Sequence, residues 1–189
     1  MVSALARFLA SQTPLTEESA IWEEWPPITS RLTFRVSGYL SEPRPPLRYV
    51  TSARSLVFRG DFILVMRDPN SRHILPGGRR EKGETLLQTL RREVLEEAGW
   101  RLAKTSQLGF MHFHHVSPKP PGYAYPYPDF IQVVYVAEAG AFVPDARFSD
   151  DYELDSAFRS IAEVRTLPLS AGERLFLEAA LKQRSSLAS

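Results

Sequence analysis

Three carboxylates crowded into five positions, Glu93, Glu96 and Glu97, are the residues of this chain whose types and spacing point most directly to chemistry. From about Glu84 the apolar residues Leu87, Leu90, Val94 and Ala98 recur at helical spacing, and Gly99 ends the run as a C-terminal cap. At about 100° per residue those four side chains form one stripe, with Glu93 and Glu97 along its edge and Glu96 beside them. The placement opposes helix chemistry. Like charges four apart weaken a helix, and acids in its last turn face the negative end of the macrodipole. At an effective dielectric near 20, two carboxylates ~5.5 Å apart repel by roughly 3 kcal/mol, a repulsion that a bound divalent cation turns into attraction. A hard metal is the simplest reason for the cluster.

The elements that must position these acids carry a recognisable order. Gly77 and Gly78 open a loop that closes at Gly83, and the helix follows at once. Gly78, then five residues, Glu84, seven residues, and the run Arg92-Glu93-Val94-Leu95-Glu96-Glu97-Ala98-Gly99-Trp100 resembles the Nudix box of the Nudix hydrolases. All nine specified positions match, with Val94 and Trp100 as the bulky apolar ones. The resemblance implies an α/β fold, a Nudix-like α/β/α sandwich with a mixed β-sheet over roughly residues 47–184. It implies Mg²⁺ or Mn²⁺ held by Glu93, Glu96 and Glu97 with the Gly77 carbonyl, and Arg92 and Glu84 orienting the acids. The matching chemistry is hydrolysis of a nucleoside diphosphate linked to another moiety, with activated water attacking the pyrophosphate and no phosphoenzyme. The general base is Glu93 or a carboxylate outside the box. Glu153, in the acidic stretch Asp150-Asp151-Tyr152-Glu153, is the outside candidate, and that stretch reads equally as a solvated loop. A catalytically inactive nucleotide-binding or regulatory module on the same fold is the alternative. An isoprenoid diphosphate isomerase fits less well, because the chain has no cysteine nucleophile.

The 189 residues, 43% of them hydrophobic, are enough for one full core, and the natural division is an N-terminal extension, 1–46, and a catalytic domain, 47–189. A net charge of +1 gives no argument for a general nucleic-acid or membrane surface and leaves room for a local basic patch. The absence of cysteine removes thiolate metal sites and suits a reducing compartment, and the apolar start, interrupted by Arg7, is too short for a membrane span. A cytoplasmic chain is expected. In the extension, residues 3–11 read as a short amphipathic helix, and Thr13-Pro14 with Glu17 and Glu18 reads as the start of a second one, stopped at Pro26-Pro27. Arg31 to Leu40 alternates like a strand. Trp22 and Trp25 need cover, from their own chain or from a second copy in a homodimer.

Further on, YVTSARSLVF and FILVMR about a Gly60-Asp61 turn read as a hairpin, Leu108–Val116 and Phe130–Glu138 as strands, and Ser170–Arg184 as a closing helix. Substrate contacts are expected near the box. Arg79, Arg80 and Lys82 lie in its loop, as phosphate ligands or as a solvated face. Tyr123, Tyr125 and Tyr127, in the proline-rich stretch before Phe130, supply either a stacking platform for a base or self-packed surface rings. His112 and His114 share one strand face, as surface groups, substrate contacts or transition-metal ligands.

Overall fold

The structure, a computed structural model, describes residues 2–22, 31–69, 71–148 and 154–188. Helix α1 (Ala4–Ala10) is followed by strands β1 (Thr16–Trp22) and β2 (Leu32–Leu40), a single 3-10 turn (Leu47–Tyr49), β3 (Val50–Arg59) and β4 (Phe62–Arg67). Then come β5 (Arg72–His73), β6 (Gly77–Arg79), helix α2 (Leu86–Ala98), and the long strands β7 (Trp100–His115) and β8 (Asp129–Phe142). After the 3-10 turn Pro144–Ala146, β9 (Asp155–Ser160), α3 (Ile161–Arg165) and α4 (Ala171–Ala188) close the chain.

One mixed sheet runs in the order β1-β2-β7-β8-β3-β4-β5, with β6 on β3 and β9 on β4. Among the described residues only the β3–β8 pair is parallel. β4 leaves β3 after two paired residues, and β6 takes the vacated edge at Ser52, Ala53 and Arg54. That exchange brings the Gly77-Gly78 turn onto the sheet.

The two sheet faces bury separate cores. On one, Phe34, Leu56, Phe113 and Phe130 pack with Phe176, Leu177 and Ala180 of α4; on the other, Val57, Phe110, Ile131 and Val133 pack with Leu90 and Val94 of α2 and Leu5 of α1. Alternation along each strand feeds the two cores in turn. The result is the expected α/β/α sandwich. At about 25 cal/mol per Å² of apolar area, each fully buried Phe or Leu contributes roughly 1.5–3 kcal/mol, so both layers are needed to hold the sheet. Among the described residues no helix is long and apolar enough to cross a membrane.

The first helix of the extension and the strand at 31–40 stand where expected, but the second helix does not form. Thr16–Trp22 is a strand, paired along all seven residues with β2. Long-range bonding overrides the local cues that Thr13-Pro14, Glu17 and Glu18 supply for a helix. Glu18, expected in a helical first turn, instead accepts hydrogen bonds from the Ala171 and Gly172 N–H groups at 3.0 and 3.2 Å and so caps α4 from another element. β2 in turn pairs with β7, so residues 1–46 contribute two strands to the common sheet and α1 to one of its cores. Trp25, Pro26-Pro27 and the Trp22 side chain lie outside the described residues.

Candidate active site

Local chemistry fixes both ends of α2. Thr85 accepts from the Gln88 N–H and Gln88 reaches back to the Thr85 N–H, a capping box, while Gly99 closes the helix in the left-handed conformation at φ 73°. The helix therefore starts at Leu86, one residue beyond Thr85, and leaves Glu84 in the loop. Leu86, Leu90, Val94 and Ala98 face the core, which turns the acids toward the Gly77-Gly78 edge.

Arg92 gathers those acids. Its Nε and Nη2 donate to the two oxygens of Glu84 at 2.8 and 3.1 Å, and its Nη1 donates to Glu93 at 3.0 Å and to Glu96 at 3.1 Å. Nη2 also reaches the Arg79 carbonyl at 3.0 Å. Glu84 is held further by the Thr89 hydroxyl and the Glu81 N–H. Beside this guanidinium the Glu84 carboxyl is pulled down to about 2, and Arg92 is driven well above its usual range. Glu93 goes the other way: burial pushes it up, and Arg92 beside it offsets only part of that.

Gly77 and Gly78 bring the loop against these acids. The Gly77 N–H donates to Glu97 at 2.9 Å, and its φ of 128° with a backbone oxygen 2.3 Å from any added Cβ admits only glycine. At Gly78 an added Cβ would lie 2.4 Å from the Glu93 carboxylate. The absent side chain is a cradle for that acid.

The donors fit a hard divalent cation. They are oxygens only, and the half-buried Glu93 stands beside Glu96 and Glu97 on the same side of the helix. Among the described residues no three acid or histidine side chains already converge as a cation cage; Arg92 and the Gly77 amide engage these oxygens instead. Glu153 lies outside the described residues.

The expected substrate side is divided by the structure. Arg79 lies over the Tyr125 ring, 4.5 Å from its centroid, and hydrogen-bonds the Tyr125 hydroxyl, so these two meet at the edge of the acid cluster. Tyr123 belongs to the core, only 9% exposed, with its hydroxyl 2.8 Å from Nε2 of the buried His115 and its own ionisation pushed up to about 12 by burial. Its role as an open stacking surface is therefore corrected: a buried ring packed against Tyr125, Tyr127 and His115 offers no open face to a base. Tyr127 is exposed and donates to the Ser117 carbonyl. Arg80 donates to the Glu84 carbonyl and Lys82 is exposed. His112 and His114 both meet Asp129.

Two residues escape a motif reading. Arg54 pairs in register with Gly77, donates to the Leu75 carbonyl at 3.2 Å and draws Glu93 downward by its charge. A cation inside the apolar run of β3 was its only signal. His115 continues the inward alternation of Met111 and Phe113, and that alternation is the sign that it is buried.

A family model described as NUDIX domain matches residues 48–180. The fold is similar to that of a NUDIX hydrolase from Nitrosomonas europaea, at TM-score 0.56 and 21% identity, over 71% of this chain and 89% of that one. It is also similar to a Bacillus subtilis pyrophosphohydrolase, at TM-score 0.57 and 16% identity, over 88% and 97% of the two chains. A third likeness is to the NUDIX domain of a Shewanella oneidensis protein solved with ADP ribose, at TM-score 0.52 and 19% identity, over 71% and 86%. No curated protein matches the chain.

Proposed function

Because the chain belongs to the NUDIX domain family, we propose that it is a hydrolase of a nucleoside diphosphate linked to another moiety, dependent on Mg²⁺ or Mn²⁺. The observation that carries this reading is the Arg92 knot. It holds Glu84, Glu93 and Glu96 together with one cation, leaving a site whose charge is completed by another. Glu93, Glu96, Glu97 and the Gly77 carbonyl are the residues that would hold the metal. When bound, it supplies charge neutralisation at the phosphates and a more acidic water.

The chain's own groups do the positioning. Arg92 and Glu84 fix the acids' orientation, and the missing Gly78 side chain lets the loop approach Glu93. Arg79 and Tyr125 offer a cation and a ring edge to the phosphates and the attached group. Water attack forms one P–O bond and breaks the bridging P–O bond; a carboxylate takes the water proton, and the departing phosphate oxygen leaves as a monoester anion. Glu93 and Glu153 are the two candidate bases.

Purified protein is to be assayed with Mg²⁺ and with Mn²⁺ against ADP-ribose, a dinucleoside polyphosphate, a nucleotide sugar, a coenzyme A derivative, an oxidised nucleotide and capped RNA. Metal-dependent cleavage of the pyrophosphate in at least one is expected. Nucleotide binding without turnover of any would instead establish an inactive binding module.

A further inference from the structure

Arg54 and Gln132 interrupt the apolar sheet face that α4 covers. Along β3 Arg54 lies on the side of Leu56 and Phe58, and along β8 Gln132 lies on the side of Phe130 and Val134, all four of them in the α4 core. The protein satisfies neither polar group. Gln132 is only 8% exposed, yet its amide has no hydrogen-bond partner among the described residues and keeps contact with solvent. An amide carried this deep without a partner is costly unless water or a ligand completes it. Arg54 is half-buried, and its guanidinium is engaged only through Nη1, which donates to the Leu75 carbonyl at 3.2 Å. Among the described residues no carboxylate pairs with it, and Nε and Nη2 stay open to solvent.

Both groups lie close to the acid cluster. Ladder bonds to β3 fall at Pro76 and Arg80, on either side of β6, so the Gly77 N–H and the Arg79 carbonyl point outward, where Glu97 and Arg92 engage them. The acids therefore stand off the outer edge of β6, and a ligand held there meets the α4 face one strand in. Arg54 pairs with Gly77 across that single spacing of ~5 Å, near enough for its charge to act on Glu93. Gln132 is one strand further, paired with Ser52, two residues before Arg54. Spacings of ~4.8 Å across and ~6.6 Å along put the Cα atoms of Arg54 and Gln132 ~8 Å apart. That is the scale of one nucleotide, phosphate to base, with the cation nearer the acids. The chemistry of the two groups matches as well. A guanidinium is a phosphate ligand, and a side-chain amide carries the adjacent donor and acceptor that complement the edge of a heterocyclic base.

We propose that Arg54 and Gln132 seat the nucleoside monophosphate half of the substrate, Arg54 binding its phosphate and Gln132 the polar edge of its base. The seat deepens the hydrolase reading and rests on it for the cleavage that follows binding. It also fixes a direction: the base lies over β8 beneath α4, and the attached group is left on the Arg79 side.

AMP, GMP, CMP and UMP, which hold no pyrophosphate to cleave, are to be titrated calorimetrically into the full chain with Mg²⁺, beside their nucleosides and ribose 5-phosphate. At least one monophosphate is expected to bind about tenfold more tightly than its nucleoside, and about tenfold more tightly than ribose 5-phosphate. Two variants should split those preferences. Arg54→Met should cut the preference over the nucleoside by about tenfold and keep the preference over ribose 5-phosphate. Gln132→Met should do the reverse, with a melting temperature equal or higher, since it removes an unpartnered amide. Arg54→Gln carries the first arm if Arg54→Met does not fold. The seat would be overturned if no monophosphate were preferred to ribose 5-phosphate, if either variant moved both preferences together or neither, or if Gln132→Met lost much of its melting temperature. Failure of the hydrolase reading looks different: the two preferences would be present and separable in a protein that cleaves none of the diphosphates.

Discussion

The acids of α2 and the tyrosines of the 117–128 loop meet at Arg79 but are held by opposite means. Arg92 fixes Glu84, Glu93 and Glu96 through charge-assisted hydrogen bonds on a helix that is capped at both ends. Tyr123 and Tyr125 are fixed by packing, ring against ring and against His115, on a segment without regular structure. Arg79 belongs to both, its carbonyl on Arg92 and its side chain on Tyr125. Under the proposed function, the rigidly placed charged region would serve the bond-breaking step and the packed aromatic region recognition. If that division is right, damage to each region registers in a different kinetic constant.

The sharpest break is Glu97→Gln. Under the proposed function it removes one charge from the metal-holding set at constant volume, and turnover on the identified substrate should fall by about 100-fold or more, since metal stabilisation of the transition state is worth several kcal/mol. The fold should survive, because relieving repulsion among the acids leaves the metal-free melting temperature equal or higher. Wild-type turnover would sink the metal assignment, and a large loss of melting temperature would make the acid structural.

On the other side, Tyr125→Ala should raise KM by roughly tenfold and lower kcat far less, by loss of the ring and of the Arg79 orientation it fixes. An equal fall in kcat would erase the division between the regions. Tyr123→Phe separates packing from recognition within the same loop. His115 Nδ1 is already buried without a partner among the described residues, and the variant strands Nε2 as well. Calorimetry should record a stability loss of ~1–3 kcal/mol with KM and kcat unchanged. The last effect is read in pH, at Glu84→Gln. The folded carboxyl, at about 2, lies below its ordinary 4.5, so its contribution is complete above about pH 4.5 and lost as pH falls toward 2. The stability gap between wild type and variant, measured by denaturant titration, should close across that window and stay constant above it.

The acid region was legible in the chain because its information is local. Spacing placed the stripe of Leu90, Val94 and Ala98, and Gly99 its end, within one stretch. The tyrosine region was legible only in composition, since nothing adjacent to Tyr123 announces that its hydroxyl meets His115 eight positions earlier. β1 was misread for the same reason on a longer scale. Thr13-Pro14 and two glutamates satisfy the rules for a helix start, while the partners that decide the matter, β2 and the first amides of α4, stand about twenty and one hundred and fifty positions away. Arg54 and Asp129 acquire meaning only once the strands are in register.

The pairing of β2 with β7 has a practical consequence for anyone trimming this protein. A fragment begun at the family-matched boundary, residue 48, would strip the cover from the β7 segment Gly109–His115 and leave its backbone amides and carbonyls open to another chain, and would remove the carboxylate that caps α4. Such a fragment would carry every residue of the box and still be prone to self-association through the new edge. Fusion tags and cleavage sites therefore belong ahead of α1, not at the connector that follows Leu40.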